Sequence, residues 1–265
     1  MSVIHQSITT RSVALRREVK LEFFLPKNFL SFKSLHLLIL NDGQDCEILK
    51  IKESLERLLV TESIYPTVVV AVHPSERVEE YGTAGVLDYK KRGKKSLAYQ
   101  KFITEELIPF VSSTTKVMNF ASTGIAGFSL GALSALNTAW NHHQKFHLVG
   151  AFSGAFWWRS VDLGKNYKED QHRIIHKLIK ESTQKPVMRF WFEAGTNDEK
   201  VDRNKNGVID AIDDTLDLIK ILEEKGYTLN EELKYVEVKN GEHNYRTWSS
   251  IFPEFLRWAF GKKIS

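Results

Sequence analysis

Gly127-Phe128-Ser129-Leu130-Gly131 joins an apolar run, TGIAGF, to a small-residue segment of helical period, LGALSALNTAW. A serine at such a junction caps a strand and opens a helix on a tight turn, and the two glycines let neighbouring backbone close in where a Cβ would clash. Its hydroxyl then stands clear of a sheet, beside a helix N-terminus whose free N–H groups and partial positive charge favour a developing oxyanion. Leu130 N–H is the first candidate donor. An ordinary Gly/Ser turn is the competing reading. A serine hydroxyl is a weak nucleophile near neutral pH, so the chemistry needs a base and a group that orients the base.

Of the nine histidines, His243 has the strongest claim as the base. It lies in NGEHNYRTW, after the β-rich run LKYVEV and before the last helical segment, where a loop can deliver an imidazole to the carboxyl edge of a sheet. His172 and His176 read as one face of a surface helix, and His142 and His143 end a helix, where a cation is favoured. The acid is expected after MRFWFEA, in GTNDEKV, where Asp198 falls close to the strand end; Glu199, Glu193 and Asp202 are its rivals. A carboxylate there would hold the imidazole in one tautomer and stabilise the imidazolium. The second oxyanion donor is expected from LNDGQD, as the N–H of Gly43 or Gln44. A simple strand-to-helix turn capped by Asp45 is the alternative.

After Asp198 comes a second chemistry. Asp202-x-Asn204-x-Asn206-Gly207-x-Ile209-Asp210-x-x-Asp213 follows the calcium-loop pattern of helix–loop–helix proteins, with Asp in place of Glu at the closing position. Calcium takes roughly six to eight hard oxygens. The expected set is Asp202, Asn204, Asn206, the Val208 carbonyl, Asp210 directly or through water, and Asp213, with Gly207 making the sharp turn. The loop is similar to those of dockerins, which also commonly close with Asp and have only an exiting helix, here 215–225. An Asx-turn-rich loop in which Asp213 or Asp214 caps that helix is the competing reading.

These residues need elements that bring strand ends together. Strand candidates at 19–26, 35–40, 67–72, 123–128, 148–153, 188–194 and 233–238 alternate with helical candidates at 47–59, 97–111, 130–141, 172–180, 215–225 and 245–260. The first strand reads as antiparallel. Several others are short continuous apolar runs, as strands buried on both faces of a parallel sheet require. The alternation predicts an α/β fold, a mostly parallel twisted sheet with helices on both faces, as a single domain over 1–265 that carries the loop 202–213. Segment 73–96 is too long for an ordinary connection and reads as a functional loop over the site. Trp157 and Trp158, in AFWWRS, are candidate pocket walls, with core packing as the equal alternative.

Hydrophobic residues at 42% against charged ones at 26% provide enough apolar surface to offset the entropy of ordering, so disorder is not expected. The net charge of +4 is small and its lysines and arginines are interleaved with acids. The densest basic run, YKKRGKK, reads as a solvated loop, so no nucleic-acid partner is implied. One cysteine, Cys46, excludes an intramolecular disulfide and a cysteine-based zinc site. No apolar leader opens the sequence and no run approaches membrane-spanning length. The expectation is a cytoplasmic protein with no membrane partner. Calcium is scarce in cytosol, so the calcium loop leaves an extracytoplasmic home open.

Taken together, these pieces resemble the esterase family of α/β hydrolases that includes enterochelin esterases, feruloyl esterases, esterase D and the antigen 85 mycolyltransferases. The resemblance runs from VKLEFFLP to FLRWAF. LNDGQD is similar to the oxyanion-side loop, YQKFITEELIPFV to the helix before the nucleophile strand, IAGFSLGALSALNTAW with FHLVGAFSGAFWW to the elbow and the next strand, and GEHNYRTW to the histidine loop. It implies an α/β-hydrolase fold and hydrolysis of a small-molecule carboxylic or thioester through an acyl-serine, carried by Ser129, Asp198 and His243 without a catalytic cofactor. Acyl transfer on the same triad, or a non-catalytic ligand-binding member, are the alternatives. The chain departs from the pattern at Ala132, where many relatives have a second glycine, and in the calcium-like loop.

Overall fold

The computed structural model of the protein describes residues 2–262. Its apolar runs build an eight-stranded sheet in the order β1-β2-β4-β3-β5-β6-β7-β8. The strands are β1 (Val3–Ser12), β2 (Arg17–Pro26), β3 (His36–Asn41), β4 (Thr67–Val72), β5 (Thr123–Phe128), β6 (Leu148–Phe152), β7 (Arg189–Asn197) and β8 (Leu233–Glu242). β2 lies antiparallel to both β1 and β4, and from β4 to β8 every neighbouring pair is parallel. Side chains alternate across a strand, so a strand covered on both faces reads as continuously apolar. In β3, Leu37 and Ile39 enter one core while Leu38 and Leu40 enter the other.

The helices are α1 (Ile51–Val60), the short α2 (Arg77–Glu80), α3 (Ser96–Lys101), which continues through a wide turn into α4 (Ile108–Thr115), α5 (Leu130–Asn141), the short α6 (Glu169–His172), α7 (Ile174–Glu181), α8 (Asp210–Glu224) and α9 (Tyr245–Phe260). α1 and α9 cover one face through Leu55, Leu58, Phe252 and Phe255. The other face is covered by α4, α5, α7 and α8, through Val111, Leu133, Ile175 and Leu218. α5 is buried almost throughout, and its alanines at 132, 135 and 139 let its backbone lie close to the sheet. No helix among the described residues is long and apolar enough to cross a membrane.

Three local readings change. β1 has no apolar signature because only its end residues, Val3 and Ser12, are buried. α1 starts at Ile51 rather than 47, because residues 43–45 form a tight turn and Lys50 takes a left-handed φ of 53°. His176 is not on a surface face: it is 1% exposed, its Nε2 donates to the Asp214 carbonyl at 2.8 Å, and burial, with Arg173 nearby, pushes its pKa down to about 3. Segment 73–96 packs down on the sheet edge through fully buried Tyr81, and within the basic run Arg92 pairs with Asp88, Nε to Oδ2 at 2.7 Å.

Because β3 to β8 run parallel, their carboxyl ends at Asn41, Val72, Phe128, Phe152, Asn197 and Glu242 share one edge. That edge is where open α/β sheets bind ligands.

Candidate active site

Ser129 follows β5 and caps α5 with φ 53° and ψ −121°. A non-glycine residue adopts such backbone at a cost of about 1–3 kcal/mol, and such residues concentrate at functional sites. The turn is clamped from β6: Ser129 N–H donates to the Phe152 carbonyl at 2.8 Å, and the Ser129 carbonyl accepts from Ala155 N–H at 3.1 Å. Both motif glycines are required by close approach. A Cβ on Gly127 would lie 2.4 Å from the Gly131 carbonyl oxygen, and one on Gly131 would lie 2.7 Å from Asp42 Oδ2.

On the other side of the serine, Asp42 takes a left-handed φ of 64° and donates its N–H to the Tyr81 hydroxyl at 3.0 Å. This throws residues 43–45 into the tight turn. Gly43, Gln44 and Leu130 lie in the first turns of their helices, where an N–H has no partner within the helix itself. Gln44 lines the cleft beside Ser129, whereas Gly43 lies beneath it, packed on Ala71 and His73.

His243 occupies the short turn between β8 and α9, and that turn is fixed on both sides. Asn244 caps α9 by accepting from Thr247 N–H at 3.1 Å, and Thr247 Oγ1 accepts from Glu242 N–H at 2.9 Å. The imidazole meets Trp248 edge-on, with ring centres 5.1 Å apart. Asp198 follows β7 at an irregularity between Gly195 and Asn197. Its Oδ1 lies 2.7 Å from where a Gly195 Cβ would be, so the carboxylate occupies space that only glycine leaves free. Burial raises the Asp198 pKa while nearby Ser153, Gly195 and His243 pull it down; burial lowers that of His243, against the pull of Asp198 and with help from Arg77.

Two recesses flank the serine. One, of 320 Å³, is polar, with Asp42, Gln44, Asp45, Arg77 and Tyr245 around it; the other, of 290 Å³, is lined by Ser153, Gly154, Trp157, Asp198, Glu199 and Ala211. Ser129 and His243 line both. Of the rival acids, Glu199 reaches the second recess and Glu193 is buried in β7. Asp202 accepts the N–H groups of Asn206 and Gly207 at 3.2 and 2.9 Å, which commits it to its own loop. Trp157 is a wall of the site, but Trp158 is not. Trp158 is 1% exposed, packed against Gly82 and beneath Arg92 at 4.7 Å, because the preceding segment folds over it.

The residue that sequence reasoning missed is Arg77. From α2 its Nε and Nη2 donate to Asp42 Oδ1 and Oδ2 at 2.8 and 2.9 Å, and Nη2 reaches the Phe128 carbonyl at 3.2 Å. A guanidinium therefore stands at the mouth of the cleft, tied to the backbone one residue before Ser129. The length of segment 73–96 signalled the loop, but nothing in SERVEEYG marks this arginine.

In the loop 202–213 the expected ligands meet in part. Asn204 Nδ2 and Asn206 Nδ2 both donate to Asp213 Oδ2, at 2.8 and 2.7 Å, and Gly207 makes the turn with φ 90°. Asp210 is placed elsewhere: its oxygens take Arg203 N–H at 2.9 Å and Arg203 Nη1 at 3.0 Å, and it starts α8. No group of three histidine, cysteine or carboxylate side chains arranged for a metal occurs among the described residues.

The comparisons with known proteins bear on the fold and the family. The model of the family described as "Putative esterase" matches residues 12–259. "Uncharacterized protein YjcH" of Bacillus subtilis (strain 168) is 25% identical over 249 residues, 93% of each chain. Among solved structures, the enterochelin esterase of Shigella flexneri superposes with a TM-score of 0.73 at 19% identity, covering 96% of this chain and 57% of that one. A ferulic acid esterase superposes at 0.68 and 17% identity, covering 98% of both. At such identities the superpositions speak for the fold, which is that of the α/β-hydrolase esterases, while the family match extends over nearly the whole sequence. The chain belongs to this esterase family, and ester hydrolysis is its general chemistry.

Proposed function

We propose that the protein cleaves a carboxylic or thioester through an acyl-serine formed on Ser129, with His243 as base and Asp198 as the group that orients it. The observation that carries this reading is that the strained Ser129 turn and His243 line the same two recesses while Asp198 lies on the His243 side. His243 takes the hydroxyl proton as Oγ attacks the ester carbonyl, and the N–H groups of Leu130 and Gln44, each in the first turn of its helix, receive the oxyanion. The imidazolium then protonates the leaving alcohol, and water enters by the reverse route. The polar recess, lined by Asp42, Gln44, Asp45 and Arg77, suits an oxygen-rich substituent with hydroxyls to donate; Trp157 suits a flat apolar one. A fluorophosphonate probe should label the protein and leave Ser129→Ala unlabelled; labelling that survives in Ser129→Ala overturns the assignment.

We also propose that residues 202–213 bind Ca²⁺ as a structural ion. The side chains of Asp202, Asn204, Asn206 and Asp213, with the Val208 carbonyl, would supply the hard oxygens; the amide nitrogens of Asn204 and Asn206 now donate to Asp213, and both amides would turn their oxygens to the ion. With Asp210 taken by Arg203, two carboxylates remain, a donor set of modest charge. The ion would stiffen the segment between Asp198 and α8 and takes no part in the acyl-transfer steps.

A further inference from the structure

Glu193 lies in β7, 1% exposed, and belongs to no step above. Beside it Ser153, just past the end of β6, accepts a hydrogen bond from Trp248 Nε1 at 2.9 Å and places its own Oγ 3.4 Å from Glu193 Oε2. A hydroxyl has one proton to give. Glu193 Oε1 and both oxygens of Asp198 are buried and receive no hydrogen bond. Glu193 and Gly195 point to the same face of β7, and Asp198 Oδ1 sits 2.7 Å from where a Gly195 Cβ would be, so two ionised carboxylates would lie close together around a single hydroxyl donor, which buried charge does not tolerate without a partner. One proton placed on the pair turns one acceptor into a donor and removes the like-charge conflict, as it does wherever two carboxyls share a dry site.

We infer that the acid of the site is a Glu193–Asp198 pair holding one proton, carried by Glu193, so that Asp198 alone faces His243 as an anion and Glu193 serves as its positioning residue. The inference rests on the Ser129, Asp198 and His243 reading. The environment favours Glu193 as the carrier. Burial first, and Asp198 second, push its pKa up to about 8, whereas Asp198 also feels the opposing pull of His243. The titratable groups facing the pair are His243 from the turn before α9 and the phenol of Tyr235 from β8, whose own pKa is raised by burial. Ser153 after β6 and Trp248 of α9 are neutral, and Arg77 acts on His243 from across the cleft.

The arrangement has a directional consequence. Below about pH 8 the pair carries one negative charge. Above it, Glu193 ionises and the second anion repels Asp198 from its place over Gly195, so that the imidazole loses the group that orients it. The chain should therefore show an alkaline fall in kcat with KM little changed, because neither carboxyl lines the polar recess where Arg77 stands.

The test compares pH profiles of p-nitrophenyl acetate hydrolysis by wild type and Glu193→Gln, each normalised to its own maximum. Gln keeps the shape and a donor but cannot ionise. Wild type should lose kcat above about pH 8, approaching tenfold per pH unit, while Glu193→Gln stays level. The same alkaline fall in both overturns the pair. If Glu193→Gln does not fold, ¹³C-carboxyl NMR of glutamate-labelled Ser129→Ala protein reads the proton directly. One glutamate should titrate near pH 8; if every glutamate titrates in the ordinary acidic range, the inference is wrong. Residual hydrolysis by Ser129→Ala would instead remove the triad reading, which separates the two failures.

Discussion

Asp214 is the hinge of a buried ion network, and its removal should be the most damaging single carboxylate deletion outside the cleft. It is fully buried on α8, accepts from Arg173 Nη1 at 2.7 Å and from Arg203 Nη1 at 3.1 Å, and touches Arg203 Nη2 as well. Arg173 and Arg203 have side chains only 3% and 12% exposed. Asp214→Ala strips the shared anion from both guanidiniums, and breaking a buried pair from one side costs about 3–5 kcal/mol. Arg173 keeps Asp217 at 2.8 Å, and Arg203 keeps Glu169 and Asp210, so the lower figure, about 3 kcal/mol, is expected. Unfolding entropy of about 2.1 cal/mol/K per residue, taken over 265 residues, converts this to a fall in Tm of about 5 °C. Calorimetry and urea unfolding of Asp214→Ala beside Asp217→Ala provide the assay. Asp217 serves the same arginine but is 53% exposed, so its loss should cost about 1 kcal/mol or less. Equal effects of the two substitutions, or a loss under about 1 kcal/mol for Asp214→Ala, would refute the idea that burial decides the worth of these pairs.

Gly131→Ala should keep the fold, by far-UV circular dichroism, yet lower kcat by about 10- to 100-fold, because its Cβ must displace Asp42 and with it Arg77 and the oxyanion turn; near-wild-type turnover would show that this approach is not needed. EDTA should lower Tm and added Ca²⁺ restore it, by about 2.7 kcal/mol when the free ion is a hundredfold above its Kd; a melt indifferent to both removes the calcium proposal. His243 must be neutral to act, and burial holds its pKa below the usual 6.5, so kcat/KM should stay flat as pH falls to that value and drop only below it. An acid midpoint above 6.5 would contradict the sign.

The candidate site residues that the chain alone suggests are those whose signal is local. Ser129 sits inside its own pentapeptide, and Asp198 and His243 each follow an apolar run whose end defines where they emerge. α5 and α9 match their expected bounds because periodicity and a cap or elbow coincide there. What stayed hidden depends on other strands. Glu193 looks like any strand position until Ser153 and Trp248 close around it, and Arg77 becomes informative only once Asp42 and the end of β5 are beside it. The calcium pattern was visible, but the partner that removes Asp210 from it, Arg203, occupies a position the pattern leaves unspecified. Likewise Trp158 and His176 are placed by segments far away in sequence, so side-chain type alone could not assign them to core or surface.

The clamp on Ser129 comes from the end of β6 and the residues just after it, and His243 is held by β8 and α9. In a chain folding from its N-terminus, β5 therefore exists well before the turn it carries is restrained, and His243, the proposed base, arrives only when the last strand and helix dock. On the proposed triad, hydrolytic competence is a property of the finished sheet. During refolding, regained turnover would report the docking of β8 and α9, later than the recovery of helical signal from α5 and the central strands.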